Sequence, residues 1–260
     1  MRTCVVVPCY DEARRLEVEV FSDFLRTAPR DLDLLFVDDG SRDETRSILE
    51  GLVARNQGRA RLLVLPCNQG KAEAVRQGCL EALAEGADRV GYWDADLATP
   101  LSTIQLFTGI LESDPAIDVV LGSRVRLLGR RVTRRAARHY LGRCFATVVS
   151  LALRLPVYDT QCGAKMLRRT EALDQALQKP FGSRWIFDVE LLGRLLAWYR
   201  RHDPRAEARA FYEYPLPRWR EVGGSRIGPR DFLRGAGEML HLYLRELRHL
   251  PPPEPGTYSG

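Results

Sequence analysis

Short apolar runs alternate with longer segments of helical periodicity over the first half of the chain. Runs rich in β-branched and large apolar residues predict buried strands at 3–7, 32–37, 61–65, 89–93 and 117–122. Between them, Val75, Cys79 and Leu83 share one face of a predicted helix. Ser41 and Glu44 have the spacing of a capping box, which predicts a helix start. This alternation predicts an α/β fold with a mostly parallel central sheet and helices on both faces.

The second half of the chain has a less regular pattern. Its periodicity predicts amphipathic or apolar helices over 134–155, 187–201 and 229–249. Segment 159–166 is typical of a loop that leads into a strand, and 209–217 predicts a further strand. The Pro-rich segment 251–260 predicts a disordered tail. We therefore expect a single domain over residues 1–250.

Charge is distributed unevenly in an otherwise ordinary globular composition. The 260 residues are 45% hydrophobic and 28% charged, and the formal net charge is +5. No Asp or Glu occurs between residues 119 and 158, whereas nine arginines do. Such a segment repels itself and therefore predicts an anionic partner. No aromatic stacking platform or nucleic-acid motif accompanies it, so the expected partner is not a nucleic acid.

Cysteine usage and hydropathy indicate the compartment. The six cysteines have no C-x-x-C spacing, which predicts free thiols, a reducing environment and no zinc site. The first apolar run is too short for a signal peptide, and no apolar stretch reaches the ~20 residues that span a bilayer. We therefore expect a cytoplasmic protein without a transmembrane helix.

Polar clusters follow the predicted strands at the point where each strand ends. The clusters read PCYDE, DDGSRDE, NQGK and DADLATP in chain order. Ligands of open α/β sheets bind outside the carboxyl ends of the strands, so a site is expected there. Asp94 and Asp96 are one residue apart, and their carboxylates point to the same side of an extended chain. Mg²⁺ or Mn²⁺ would offset their repulsion and hold a diphosphate, although a turn with a helix cap is the alternative interpretation of this pair.

Several motifs in fixed order carry a resemblance to a known family. VVVPCYDE, VDDGSRDET, NQGKAEAVRQG, WDADLATP and GSR together resemble the inverting family 2 glycosyltransferases. DTQCGAKM, RWIFDVELL and WREVGGSRI are similar to one branch, the dolichyl-phosphate β-glucosyltransferases and related bacterial polyprenyl-phosphate glycosyltransferases. Two positions differ from that branch: Leu97 stands where Gly is frequent, and Ala164 where an aromatic residue is usual.

The resemblance implies a fold, a reaction and a division of the chain. The fold is the GT-A nucleotide-diphospho-sugar transferase fold, with residues 1–123 binding the nucleotide sugar and 124–250 the acceptor. The reaction moves a sugar, expected to be glucose, from a UDP-sugar to a polyprenyl or dolichyl-type lipid phosphate with Mg²⁺ or Mn²⁺ as cofactor. Such an acceptor also implies peripheral contact with an anionic membrane surface, on its cytoplasmic face.

Site residues follow from the motifs together with the resemblance. The expected nucleotide-sugar contacts are Pro8, Tyr10, Glu12, Asp38, Asp39, Lys71 and Asp94. The expected metal ligands are Asp94 and Asp96, and the expected catalytic residues are Asp96, Arg124 and Asp159. The expected acceptor contacts are Arg124, Arg134, Arg138, Lys165, Asp188 and Glu190. Each also has a structural interpretation: capping for Asp38, Asp39 and Asp159, solvation for Lys71, and ion pairing for Asp188 and Glu190.

Three other functions remain open at the level of sequence. A family 2 enzyme acting on a hydroxyl of a soluble acceptor needs a general base, for which Asp159 and Asp188 are candidates. A sugar-phosphate nucleotidylyltransferase can have the same fold class, but PCYDEARR stands where its Gly-rich loop is usual. A nucleic-acid-binding protein would use the arginine-rich segment.

Overall fold

The computed structural model describes residues 1–133, 136–221 and 229–258, and it describes side chains outside 133–141 and 222–234. The strands are β1 (Thr3–Cys9), β2 (Leu32–Asp38), β3 (Ala60–Val64), β4 (Arg89–Trp93), β5 (Val119–Ser123), β6 (Arg131–Thr133), β7 (Ala164–Arg168), β8 (Phe211–Pro215) and β9 (Arg218–Arg220). The helices are α1 (Val18–Thr27), α2 (Thr45–Arg55), α3 (Lys71–Ala84), α4 (Thr103–Ser113), α5 (Ala136–Leu153), α6 (Glu171–Gln178), α7 (Phe187–His202), α8 (Pro204–Ala210) and α9 (Pro229–Arg245), followed by a 3-10 turn (Leu247–His249).

Within the described ranges, seven strands form one sheet in the order β3-β2-β1-β4-β7-β5-β8. All neighbours pair in parallel except β7, which runs antiparallel to both β4 and β5. The predicted mostly parallel sheet is therefore confirmed. Since β7 runs against its neighbours, the loop before it lies at the edge where β4 and β5 end. Residues 159–163 are thus brought beside the Asp-rich loop after β4.

Alternate side chains of the strands enter two cores, one on each sheet face, as the period of a strand requires. Val6 of β1 packs in the core that contains α3, α6 and α7. Val5 and Val7 pack in the opposite core, which contains α1, α2 and α4. The predicted helix face of Val75, Cys79 and Leu83 is buried in the first of these cores. Helices on both faces are therefore confirmed.

The predicted capping box at Ser41 is wrong. Helix α2 begins four residues later, at Thr45. The hydroxyl of Ser41 accepts a hydrogen bond from the backbone N–H of Asp11 at 3.1 Å instead. At the start of the helix, the side chain of Asp43 accepts a hydrogen bond from the backbone N–H of Thr45 at 2.9 Å. A contact between two loops has therefore prevailed over the local capping pattern.

A short parallel ribbon of β6 and β9, which the sequence pattern did not predict, lies beside the main sheet. The backbone N–H of Arg131 donates to the carbonyl of Pro217 at 3.0 Å. The N–H of Arg220 donates to the carbonyl of Ala98 at 3.1 Å. These bonds hold the ribbon against the loop that follows β4.

The described part of the tail differs from the expectation of disorder. The hydroxyl of Tyr258 donates to the carboxylate of Glu207 at 2.6 Å, and Arg200 donates to the carbonyl of Pro251 at 2.9 Å. Arg200 and Glu207 form a buried ion pair, so the tail supplies hydrogen bonds to charges that water does not reach. These hydrogen bonds to buried charged groups stabilise the packed position of this Pro-rich segment.

In the part of the chain that the structure describes, every cysteine is a free thiol. None of the helices in the described ranges has the length and apolar character needed to cross a bilayer.

Candidate active site at the carboxyl edge of the sheet

The loops after β1 and β2 are bonded to each other. The backbone N–H of Glu12 donates to the hydroxyl of Thr45 at 2.7 Å, and that of Arg42 donates to the carboxylate of Asp11 at 2.8 Å. Asp11 has a φ of 52°, a left-handed conformation that Asp tolerates better than most residues. These bonds fix the course of the chain through Pro8, Tyr10 and Glu12, which are all partly buried at this edge.

Asp38 and Asp39 are buried, and both accept hydrogen bonds from neighbouring loops. Asp38 accepts the backbone N–H of Ser41 at 3.0 Å. Asp39 accepts the N–H groups of Gln69 at 2.7 Å and Gly70 at 2.8 Å, together with the side-chain amide of Asn68 at 3.1 Å. Burial raises the pKa of Asp39, although the N–H groups of Gln69 and Gly70 oppose the shift. The carboxylate of Asp39 therefore holds the NQGK loop, and its expected contact with the nucleotide stays a prediction.

Gly40 permits this close contact between the second and third loops. Its φ is 66°, and a Cβ at this position would lie 2.6 Å from the carbonyl carbon of Cys67. Any larger residue would push the two loops apart. The sequence already placed Gly40 in the DDGS motif, but the motif alone does not show which backbone it approaches.

Lys71 and Asp94 form an ion pair in the centre of the site. Gly70, with a φ of 94°, precedes Lys71, the first residue of α3. Desolvation lowers the pKa of Lys71, but the carboxylates of Asp94, Asp188 and Asp96 raise it by more, so the net shift is upward. The side chains of Lys71 and Asp94 are 41% and 35% exposed, so both remain accessible to a substrate.

Gly163, which the sequence analysis missed, makes room for Asp94. The backbone N–H of Asp94 donates to the carbonyl of Gly163 at 3.0 Å. A Cβ at position 163 would overlap the carboxylate group of Asp94. The position of a Gly directly before a strand is the signal that could have identified it, because such glycines often mark a close approach.

Asp96 is the second carboxylate at the end of β4. Burial raises its pKa, and the neighbouring charge of Asp94 adds to the shift. One of its oxygens accepts the backbone N–H of Ala98 at 3.0 Å. The charges of these two carboxylates repel each other. A hard divalent cation bound between them would offset this repulsion. Over the described ranges, no group of three or more His, Cys, Asp or Glu side chains could hold a metal, so such a cation would take further ligands from substrate phosphates and water.

Leu97, where the resemblance leads us to expect Gly, has a backbone conformation that favours Gly. Its φ of 54° lies in the left-handed region, which is unfavourable for a residue with a Cβ. The side chain is 7% exposed and packs in the core that contains α1 and α4. Burial of the leucine side chain therefore offsets the backbone strain.

Arg124 and Asp159 form a bidentate ion pair. Nε and Nη2 of Arg124 donate to the two oxygens of Asp159 at 2.6 and 2.7 Å, and the backbone N–H of Arg124 donates at 3.0 Å. Desolvation lowers the pKa of Arg124, but Asp159 raises it by more. Glu213 on β8, another residue that the sequence analysis missed, accepts the N–H groups of Tyr158 at 2.8 Å and of Asp159 at 2.7 Å. The arrangement holds both partners in fixed orientations.

Lys165 and Asp188 lie beneath the loop that precedes β7. The ammonium group of Lys165 is fully buried and donates to the carbonyls of Thr160 at 2.9 Å and Cys162 at 2.7 Å, and to Asp188 at 2.5 Å. The hydroxyl of Tyr92 donates to the same oxygen of Asp188 at 2.5 Å. Both residues were expected to contact the acceptor. Their bonds instead hold the loop in place from below.

Glu190 is not brought into the site. Its carboxylate is fully buried and accepts the backbone N–H groups of Gly182 and Ser183 at 3.0 and 2.9 Å. Arg194 and Arg245 donate to it at 2.7 and 2.8 Å. Protein groups thus surround a residue that was expected to contact the acceptor. Two further expected acceptor contacts, the side chains of Arg134 and Arg138, lie outside the described residues.

The family model and the relatives that match this chain agree with the resemblance that its motifs carry. The chain matches the family model described as Glycosyl transferase family 2 over residues 4–174. It is 32% identical over 264 residues to the dolichyl-phosphate beta-glucosyltransferase of Drosophila melanogaster, a match that covers 94% of this chain and 74% of the relative. It is 29% identical over 261 residues to the Homo sapiens protein of the same name, with 94% and 75% covered.

Solved structures share the architecture. The glucosyl-3-phosphoglycerate synthase of Mycobacterium tuberculosis in complex with UDP superposes with a TM-score of 0.63 at 22% identity, over 98% of this chain and 82% of that one. Its complex with Mn²⁺, UDP-glucose and phosphoglyceric acid gives a TM-score of 0.61 at 20% identity, again over 98% and 82%. At these identities the likeness shows the fold alone, which is the expected GT-A fold.

Proposed function

This chain belongs to glycosyl transferase family 2 and is a glycosyltransferase, and we propose that it transfers glucose from UDP-glucose to the phosphate of a polyprenyl lipid with inversion. The proposal is supported by relatives named dolichyl-phosphate beta-glucosyltransferase, which are similar over more than nine tenths of the chain. The observation that carries the choice of acceptor is the bidentate bond between Arg124 and Asp159.

A hydroxyl acceptor needs a base that is available to take its proton. Both oxygens of Asp159 already accept hydrogen bonds from the guanidinium group of Arg124, so this carboxylate is engaged in an ion pair and is poorly placed to take a proton from a hydroxyl. Asp188, the other candidate, is 5% exposed and bonded to Lys165 and Tyr92. A lipid phosphate needs no such base because its oxygen is already ionised near neutral pH. The geometry therefore supports the phosphate over the hydroxyl.

The charges of the site are arranged for two anions. Asp94 and Asp96 are the residues that would hold Mg²⁺ or Mn²⁺, and this ion would neutralise charge that develops on the leaving diphosphate. Lys71 lies at the first turn of α3, where the helix dipole also favours an anion. When the donor binds, its ammonium group can leave the ion pair with Asp94 and contact a phosphate of the donor instead. Arg124 has five N–H donors, more than Asp159 uses, and orients the attacking phosphate.

An exposed apolar surface supports peripheral contact with a membrane on its cytoplasmic side. Val148 and Leu151 of α5 are 53% and 73% exposed, and Leu240 of α9 is 60% exposed. The buried sides of these two helices pack in one core. Arg154 and Arg248 are exposed on the segments that follow these helices, and arginine favours anionic headgroups.

The test compares two variants with two acceptors. Turnover of UDP-glucose is measured for Arg124→Ala and Asp159→Asn with a polyprenyl phosphate and with the matching free alcohol. We expect Arg124→Ala to lower turnover of the phosphate about tenfold to a hundredfold, since a charge-assisted contact contributes ~1.5–3 kcal/mol. Asp159→Asn should lower it too, by misorienting Arg124, and a higher pH should not restore it.

The control variant replaces an arginine that lies outside the candidate active site. Arg209→Ala removes an exposed arginine whose partner Asp114 precedes β5 at the opposite edge of the sheet, so turnover should not change. If the free alcohol is turned over as fast as the polyprenyl phosphate, the proposed acceptor is wrong. The product of an α-linked donor should be a β-glycoside by NMR.

A further inference from the structure

A groove of about 750 Å³ runs along α1 beside the loop that follows β4. Val20 and Phe24 of α1 line one wall, Leu97 and Leu101 lie in the loop, and Trp219 of the β6–β9 ribbon lines the opposite wall. The lining is mostly apolar, and the ribbon is held in place by the bond from Arg220 N–H to the Ala98 carbonyl at 3.1 Å. None of the nucleotide-sugar or metal residues expected from the sequence lines this groove.

Two parts of the groove lining adjoin residues of the candidate active site. Leu97 and Ala98 directly follow Asp96, whose carboxylate accepts the Ala98 N–H at 3.0 Å. On the other wall, the guanidinium carbon of Arg124 lies 5.5 Å from the centre of the Trp219 ring. The groove therefore lies between the loop that carries the metal-binding carboxylates and the ring that supports Arg124.

We propose that this groove binds the first isoprene units of the acceptor lipid, with the lipid phosphate at Arg124. The assignment rests on the proposed function and deepens it. The lining from Val20 to Thr27 extends ~10 Å at 1.5 Å per helical residue, which accommodates the start of a chain and not its full length.

Charge at the rim favours an apolar chain that ends in an anion. Arg131, Arg218 and Arg220 line the groove together with two acids. Both acids are paired: Glu17 accepts a bond from Arg220 at 3.1 Å, and Asp23 pairs with Arg26. Because Arg220 is used by Glu17, Arg131 and Arg218 leave the rim with a net positive charge, which favours a ligand that carries an anion over an uncharged apolar one.

The test fills the groove without disturbing the core. Val20 is 41% exposed, so Val20→Trp and Val20→Glu should both fold, which a thermal melt verifies. KM is measured for undecaprenyl phosphate and for isopentenyl phosphate, with UDP-glucose as donor. We expect both variants to raise KM for undecaprenyl phosphate tenfold or more and to leave KM for UDP-glucose unchanged. Leu106→Trp on α4, which is 45% exposed and away from the groove, is the matched control and should change neither KM.

The outcomes separate the groove from the proposed function. If undecaprenyl phosphate is an acceptor but its KM is the same in the wild type and both Val20 variants, the groove proposal is overturned and the function stands. If the wild type uses neither phosphate, the function fails, and calorimetric binding of undecaprenyl phosphate in detergent decides the groove alone. Weaker binding to both Val20 variants than to the wild type then supports it, and equal binding overturns it.

Discussion

Single residues of the site hold charge in surroundings that disfavour it. Burial, and then the charge of Asp94, raises the pKa of Asp96. Because the unfolded chain releases this proton at a lower pH, ~3.9, than the folded chain, the folded state loses stability as the pH rises from there through the raised pKa. The ionised carboxylate is therefore a cost to stability at neutral pH, which the protein bears for its function.

Asp96→Asn should stabilise the metal-free protein. An amide has no charge to bury and can still accept the N–H of Ala98. We expect a higher unfolding midpoint than wild type at pH 7 in EDTA, a difference that disappears below pH ~3.9, and loss of glucosyl transfer. Thermal unfolding across this pH range measures it. Mn²⁺ with UDP should raise the midpoint of the wild type and not that of the variant. A variant less stable than wild type at pH 7 would contradict the interpretation.

Gly163→Ala tests the space beside Asp94. The added methyl group overlaps the Asp94 carboxylate, which must then move away from its position. We expect glucosyl transfer to fall at least about tenfold, since displacing one positioned group can cost about a hundredfold. Gly109→Ala is the control: nothing lies within 4 Å of its Cβ, and it should stabilise α4 by up to about 1 kcal/mol without loss of activity. Equal activity of the two variants would disprove the role of Gly163.

Among the elements, the antiparallel strand β7 and the loop before it bring residues 159–163 beside the ends of β4 and β5. Asp159 and Gly163 stand in that loop, beside Arg124 and Asp94. The buried ammonium group of Lys165 fixes the loop by its bonds to two of its carbonyls. The orientation of the Arg124–Asp159 ion pair thus depends on the fully buried charge of Lys165.

Lys165→Met should destabilise the protein strongly. It leaves Asp188 buried without its cationic partner, a change that typically costs ~3–5 kcal/mol in the free energy of unfolding. The double variant Lys165→Met/Asp188→Asn should recover part of the loss because the unpaired charge is removed. Urea unfolding measures both, and the exposed Lys179→Met serves as control. A single variant as stable as the control would show that Lys165 does not hold the loop.

At the scale of the whole molecule, the C-terminal tail packs over the buried ion pair of Arg200 and Glu207, away from the candidate active site. Nε of Arg200 donates to Glu207 at 2.9 Å, and its Nη groups donate to the carbonyls of Pro251 and Arg154 at 2.9 and 3.2 Å. Tyr258 adds a hydrogen bond to Glu207 at 2.6 Å. The tail therefore belongs to the folded domain as far as residue 258.

Tyr258→Phe tests this packing. It removes one hydrogen bond to a buried carboxylate, so the free energy of unfolding should fall by about 1–3 kcal/mol. Glucosyl transfer under native conditions should be unaffected, because Tyr258 bonds to Glu207 and packs against the core rather than the candidate site. Tyr212→Phe, at an exposed position on β8, is the control for chemical denaturation. Identical denaturation curves for the two variants would contradict this packing and support the disorder expected from the composition of the tail.

The sequence by itself determined the layered sheet and the location of the site. Apolar runs of strand length alternate with helical periodicity, and this pattern admits few arrangements other than a parallel sheet covered on both faces. Polar motifs such as DDGS and DAD then had to meet at the carboxyl edge, because parallel strands end on the same side. Local signals of this kind need no knowledge of distant partners.

Only the tertiary structure decided which charged groups remain accessible to substrates. Arg124 and Asp159 are 35 positions apart, and no local period predicts that they bind each other. Lys165 pairs with Asp188 below the loop, Glu190 pairs with Arg194 and Arg245 away from the site, and Ser41 binds the neighbouring loop instead of capping α2. A buried charge must find a partner wherever the fold brings one within reach. Its role therefore depends on the packing of distant segments rather than on its neighbours in the chain.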